Sequence, residues 1–460
     1  MSDAGKVYLC TMFYRKIQEH IERYLTSDDS RVLVIDGARQ VGKTYIVRHI
    51  GQRLFANYIE INMEEDAINN RLFADVGSKD DFYLALSVYA GGKIGTRRDT
   101  LVFIDEIQRY DRLLTLLKFL REDDRFKYIV SGSLLGVSLK RTSSIPLGSI
   151  EIRHMYPMDF EEFVLANGVG REAVDTMKTT LARGCGLPQA LHATMTDLFR
   201  KYLLAGGMPA AVDAFVNDRN IVTMRDIQLQ IYDLYKVDAA RYEDVRRRLK
   251  IQRIYSMIPS NLENRKKRVV ANKIEGRRGD RMEHYAEEFD YLVSAGIALE
   301  VKAVSNPCYP LVQSTGKNLL KLYMSDVGIF TALLYRNNIK PVMDDMKSIN
   351  LGAVYETVVA QELRAHGFDL YYYDNKKNGE VDFIIDDSST ATALPIEVKS
   401  GRDYRIHSAL NNLLAVGDYN IHRAIVLSDA PEVKTDKGIT YLPVYATMLL
   451  SATAATATFT

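Results

Sequence analysis

Short continuous apolar runs alternate with amphipathic stretches in two separate parts of the chain. In the first part, Val32–Ile35, Tyr58–Asn62, Leu101–Ile104 and Lys127–Val130 each hold enough apolar residues for a buried strand. Runs of this kind, rather than strict alternation, are what a parallel sheet covered on both faces requires. Helical stretches separate them, so the predicted unit is strand–helix–strand throughout. A helix over residues 10–25 precedes this unit, with Met12, Phe13, Ile17, Ile21 and Leu25 near helical spacing. A strand near residue 150 and a helix start after Pro157 close it.

From about 175 to 345 the pattern becomes mostly helical. It predicts a helix around 251–262, a short one near 269–274 and a third over 281–294. The third carries Met282, Tyr285, Phe289, Leu292 and Val293 on one face, and Gly296 ends it. The following segment, through Pro307, Pro310 and Gly316, predicts a β-wing, so three helices and a wing read as a winged helix. After 346 the strand–helix pattern returns: a helix over 351–365, then strands at Leu370–Tyr373, Val381–Ile385, Pro395–Val398 and Ala424–Leu427. Residues 451–460, rich in Ala and Thr, read as a disordered tail.

Composition narrows the class. At 460 residues the chain is too long for a single core. Its 47% hydrophobic and 26% charged residues are ordinary globular values. Cys10, Cys185 and Cys308 have no paired spacing, and the histidines have no ligand spacing. Neither a disulfide framework nor a zinc site is therefore expected. No apolar stretch reaches the roughly 18 residues of a membrane span, and the first residues lack signal-peptide character, so a cytoplasmic protein with no membrane partner is expected. The net charge of +1 conceals a basic segment: residues 236–281 hold 15 Lys and Arg against 6 Asp and Glu.

Candidate chemistry begins at the first strand. Gly37-Ala38-Arg39-Gln40-Val41-Gly42-Lys43-Thr44 satisfies G-x-x-x-x-G-K-[ST], with a strand before it and a helix opening at Tyr45. In such a loop, backbone N–H groups and a helix N-terminus face phosphate oxygens. Lys43 is expected to reach the β- and γ-phosphates of ATP, and Thr44 to ligate Mg²⁺. Four apolar residues then deliver Asp105 to a strand end, where it is expected to hold the magnesium hydration shell. Glu106 follows it, placed to orient or deprotonate water. Ser131 or Ser133, ending the next strand, is a candidate for contact with the γ-phosphate or that water; a strand-end turn serine is the alternative.

Two further clusters carry chemistry. In the basic segment, Arg265, Lys266, Lys267, Arg268, Lys273, Arg277 and Arg278 suit a nucleic-acid backbone, making DNA a candidate partner. The third helix is acidic at Glu283, Glu287, Glu288 and Asp290, which fits a groove poorly and favours a packing role instead. Toward the C-terminus, Glu356 lies on a helix, Glu380 and Asp382 in or entering one strand, and Glu397 and Lys399 on the next. Residues two apart on a strand share a face, so Glu397 and Lys399 converge. Asp382 and Glu397 are expected to bind a divalent metal beside Lys399, with an ion-pair network that cleaves nothing as the alternative.

These motifs, in this order, resemble a family. GARQVGKT, FIDEIQ, SGSLLG, MYPMDFEEF, YLLAGGMP, LYMSDVG and EVDFII followed by IEVKSG are similar to bacterial and archaeal AAA+-type ATPases that end in a PD-(D/E)xK nuclease-like domain. The resemblance spans nearly the whole chain. It implies an α/β fold: a P-loop AAA+-type parallel-sheet ATPase core (1–165), a helical lid (166–240), a winged-helix-like module (241–345), a PD-(D/E)xK nuclease-like α/β domain (346–450) and a tail (451–460). The implied catalytic set is Lys43, Asp105, Glu106 and Ser133, and the implied nuclease set is Glu356, Asp382, Glu397 and Lys399. In one respect the chain departs from the family. Gly148 is followed by Ser149, where members often carry a basic residue, leaving Arg141 and Arg153 as nearby candidates for an arginine finger. The expected function is Mg²⁺-dependent ATP binding and hydrolysis in a homo-oligomer, driving conformational change in a nucleic-acid-facing nuclease-like domain. The alternative is a slow ATP-dependent switch whose C-terminal domain binds nucleic acid without cutting it.

Overall fold

The computed structural model describes residues 13–133, 135–137, 147–238, 245–315, 319–344, 351–401 and 403–452. Arg141, Cys10, the expected domain boundary at 240 and residues 453–460 lie outside this set.

The N-terminal sheet has five parallel strands: β1 (Val32–Asp36), β2 (Asn57–Asn62), β3 (Thr100–Asp105), β4 (Lys127–Gly132) and β5 (Ile150–His154), in the order β2-β3-β4-β1-β5. β1, β3 and β4 are buried at every residue, which accounts for their continuous apolar runs. Their side chains divide by period two between the two faces. Leu33, Ile35, Leu101, Phe103 and Ile129 enter one core, while Val32, Val34, Val102, Ile104 and Val130 enter the other. Because every strand runs the same way, the loop after β1 and the ends of β3, β4 and β5 meet at one carboxyl edge.

The helix expected over 10–25 is Ile17–Thr26, leaving Phe13 in the segment before it. Helices 160–166, 171–182, 189–205, 209–216 and 221–238 follow the sheet, the last four within the segment expected as a helical lid (166–240). Asp159 and Glu162 form a capping box at the start of the first.

The C-terminal sheet corrects the sequence reading of the middle segment. The expected wing exists as β6 (Ala298–Val304) paired antiparallel with β7 (Leu320–Met324). It is not self-contained, because β6 also pairs in parallel with β8 (Tyr371–Asn375). With β9 (Gly379–Asp387), β10 (Thr392–Lys399), β11 (Ala424–Ser428), β12 (Lys434–Asp436) and β13 (Ile439–Pro443), these strands form one eight-stranded mixed sheet in the order β12-β13-β11-β10-β9-β8-β6-β7. A wing edge alone would leave its N–H and C=O groups unpaired, and β8 satisfies one side of β6. The three helices before the wing are present as Val245–Glu263, Ala271–Glu275 and a short 3₁₀ turn, Met282–Tyr285, leading into Ala286–Ser294. Tyr285, Phe289 and Leu292 are buried as the spacing predicts.

Candidate functional site

The loop from Gly37 to Gly42 departs from the end of β1 and is shaped by residues with positive φ. Gly37 sits at φ +144°, Gln40 at +67° and Gly42 at +98°. A Cβ at Gly37 would lie 2.2 Å from the carbonyl oxygen of Met155, at the end of β5, so only glycine fits. Gly42 caps the helix Lys43–Leu54. Lys43 is buried, and its Nζ donates to the carbonyls of Gly37 (2.7 Å) and Ala38 (2.8 Å). Burial pulls its pKa below the ordinary lysine value, against the attraction of Glu106 and Asp105.

Thr44 follows, its hydroxyl donating 2.7 Å to Asp105 Oδ2. Ser131 donates to the other oxygen of the same carboxylate. Asp105 is buried, and desolvation raises its pKa despite these two hydrogen bonds. Glu106 takes the left-handed region at φ +53°, a strained backbone for a non-glycine residue. Its Oε2 accepts from Ser133 Oγ at 3.0 Å and from the Gln108 amide. Ser131 and Ser133 are thus separated by role: the first holds Asp105, the second Glu106.

A cavity of about 670 Å³ opens over this loop, lined by Arg39, Gln40, Gly42, Lys43, Thr44, Tyr45 and Glu106. Ala38 and Val41 are buried behind it. The rest of the lining is largely apolar and was not legible in the sequence. Phe13, Met155, Met158, Pro209 and Ala210 form it, with Asp213 at its edge. Arg15 also lines the cavity, donating to Val41 O (2.7 Å) and Tyr156 O (2.6 Å) and pairing with Glu162 at 3.0 Å. These residues come from the N-terminal segment, the stretch after β5 and the helix Pro209–Val216. Only the fold brings them together, although MYPMDFEEF and YLLAGGMP mark two of the three segments.

The donor set suits a triphosphate with magnesium. A lysine, loop N–H groups and a helix N-terminus match phosphate oxygens, and one hydroxyl and one carboxylate in contact match a cation that keeps most of its waters. Arg153, considered for an arginine finger, is half exposed on β5 and pairs with Glu151 at 2.8 Å.

The C-terminal residues also gather, with unexpected company. Glu356, on the helix Gly352–Ala365, is buried and accepts from the Tyr323 hydroxyl at 2.8 Å. Lys267, from the basic segment, pairs with its other oxygen. Asp382 accepts from Val398 N at 2.9 Å. Burial, with the charges of Glu356 and Glu397 nearby, pushes its pKa well above the usual carboxylate range. Lys399 pairs with Glu397 Oε1 at 2.7 Å, while Glu397 Oε2 is buried without a hydrogen-bond partner. Glu380 pairs with Lys321 (2.7 Å) and Arg268 (2.8 Å). The sequence assigned Lys267 and Arg268 to solvent and nucleic acid; here both reach into the carboxylate cluster. Among the described residues, no group of three or more His, Cys, Asp or Glu is arranged to hold a metal ion.

Residues 29–164 match the family model described as AAA domain, residues 196–340 a domain of unknown function (DUF8612), and residues 351–447 another (DUF4143). The chain is 22% identical to Uncharacterized protein MJ1637 of Methanocaldococcus jannaschii, over 94% of this chain and 87% of that protein. Among solved structures, the Walker-type ATPase PABY2304 of Pyrococcus abyssi aligns with a TM-score of 0.41 and 15% identity, over 70% of this chain and 96% of its own. Cdc6p from Pyrobaculum aerophilum aligns at 0.26 and 12%, over 74% and 97%. The parallel sheet, the glycine-shaped loop and the match over residues 29–164 together identify the N-terminal part of the chain as an AAA-type P-loop ATPase domain.

Proposed function

We propose that the chain binds Mg-ATP in the cavity over residues 37–45, hydrolyses it, and uses the cycle to move the lid against the C-terminal part. The observation that carries this reading is the meeting of Lys43, Thr44, Asp105 and Glu106 at one carboxyl edge, in a cavity partly lined by apolar residues. Loop N–H groups and Lys43 bind the phosphates, with Lys43 exchanging its carbonyl partners for phosphate oxygens. Thr44 and Asp105 would hold Mg²⁺, which would offset negative charge on the bound phosphates. Glu106, steadied by Ser133 and Gln108, orients water and takes its proton as the oxygen attacks the γ-phosphorus in line. The bond to the β-phosphate oxygen breaks and ADP leaves.

The test is ATP turnover by wild type and Glu106→Gln, with and without DNA. Nucleotide binding in the variant stays near normal while hydrolysis falls about a hundredfold or more, the range for losing a water-positioning base. Unchanged turnover would refute the assignment.

Coupling runs through the lid. Pro209 and Ala210 wall the cavity, and Gly207 beside them donates to Asp326 at 2.6 Å, at the start of helix Val327–Tyr335. The C-terminal part is read as a nuclease-like domain that binds nucleic acid without cutting it, in an assembly of several copies. The observation favouring that version is Lys267 and Lys321 paired inside the carboxylate cluster. A neighbouring groove of about 530 Å³, lined by Lys266, Lys273 and Arg281, is the nucleic-acid surface. Nicking in Mg²⁺ or Mn²⁺ that is lost in Lys399→Ala but kept in Lys43→Ala would replace this version with an active nuclease.

A further inference from the structure

Arg39 is a loop residue whose side chain points two ways. Its Nε donates to Ser133 Oγ at 3.2 Å, and its NH1 pairs with Asp238 Oδ1 at 2.8 Å. Ser133 in turn donates to Glu106, so the guanidinium stands one hydroxyl away from that carboxylate. It also lines the cavity beside Lys43 and Thr44. A guanidinium offers five donors in a fixed fork, more than these two contacts use.

The lid grips this residue twice. Asp238 holds its side chain, and the Tyr235 hydroxyl donates 2.8 Å to its backbone carbonyl. Both lie in the last turn of helix Ile221–Asp238, and Asp238 is buried. The other end of that helix reaches the C-terminal part. Arg225 NH1 donates to Thr331 Oγ1 (3.0 Å) and to the carbonyls of Gly328 (3.2 Å) and Leu204 (3.0 Å). At 18 residues the helix is about 27 Å long, enough to join the loop to helix Val327–Tyr335 as one rigid rod.

We propose that Arg39 is a phosphate-directed cation supplied in cis, and that a γ-phosphate competes with Asp238 for its guanidinium, so that the helix reports whether ATP or ADP occupies the loop. This rests on the ATP reading and deepens it. A charge-assisted fork on the γ-phosphate places a cation on the transferred group without a neighbouring subunit. Loss of the γ-phosphate returns the fork to Asp238.

Calorimetry with ADP and with ATPγS, alongside ATP turnover, tests this on the full chain. Wild type prefers ATPγS to ADP. Arg39→Ala abolishes that preference while ADP affinity changes by no more than about threefold, and kcat falls about a hundredfold, the scale of losing a charge-assisted contact to the transferred group. Arg39→Lys restores charge but not the fork and recovers part of the preference. Asp238→Asn, which removes the competing carboxylate and leaves the loop intact, tightens ATPγS several-fold relative to ADP. Unchanged ATPγS-to-ADP ratios in both Arg39→Ala and Asp238→Asn would overturn the proposal, as would equal losses of ADP and ATPγS affinity in Arg39→Ala. A wild type that binds neither nucleotide removes the ATP reading itself, which sets that failure apart from this one.

Discussion

Gly37 shows how much a single position decides. Its φ of +144° and the Met155 carbonyl 2.2 Å from any Cβ exclude every side chain. Met155 N also donates to Asp36 O at 2.7 Å, so the end of β5 cannot simply retreat. Gly37→Ala is therefore expected to lower unfolding stability by about 1–3 kcal/mol in urea titration and to abolish nucleotide binding, through strain and a forced shift of the loop. Lys43→Ala should behave differently. It removes a buried ammonium held by two carbonyls, so the fold persists while ATP affinity measured by calorimetry drops by at least about a hundredfold. The loop, Asp105 and Glu106 were legible because their residue types and spacing are local. Arg15 and Met158 were not, since nothing near them in sequence says that they face a loop more than a hundred residues from the latter. Lys267 misled for a related reason: inside a basic run, one lysine that turns inward has the same sequence signature as those that stay in water.

Strands and helices were readable where burial is two-sided and obscure where pairing is long-range. β1, β3 and β4 follow their apolar runs to within a residue or two. β12 is polar and exposed and gives no strand signal, whereas Ile439, Thr440 and Tyr441 of β13 are strand-type residues that the sequence reading passed over. Asp326 illustrates an element held by a buried charge. It caps helix Val327–Tyr335 through Ile329 N (2.9 Å) and ties Gly207 to it. Burial raises its pKa to about 6, against the pull of those N–H groups. A folded-state pKa above the unfolded value of 3.8 means that its stabilising contribution is full below about 3.8 and lost as pH rises through about 6. Over that window the difference amounts to about 3 kcal/mol. Urea unfolding at pH 4.5 and 7 should therefore show a wild-type decline that is smaller in Asp326→Asn, whose amide does not titrate.

For the molecule as a whole, the ion pair between Lys267 and Glu356 ties the basic segment to the C-terminal helix across the carboxylate cluster. Lys267→Ala leaves Glu356 buried beside Asp382 with one cation fewer, and should cost about 3–5 kcal/mol in thermal or urea unfolding. Adding Glu356→Gln to that variant should recover much of the loss, since the uncompensated charge is then gone; a double variant no better than Lys267→Ala would show that packing, not charge, holds the junction. The shared sheet has a practical bearing on how the protein is divided for experiment. A fragment ending or starting near residue 345 would tear β6 from β8, leaving each with a bare row of N–H and C=O groups that invites self-association. A cut ahead of the helix Val245–Glu263 keeps both strands in one piece, but it parts helix Val327–Tyr335 from the helices Gln189–Ala205 and Ile221–Asp238 that it packs against.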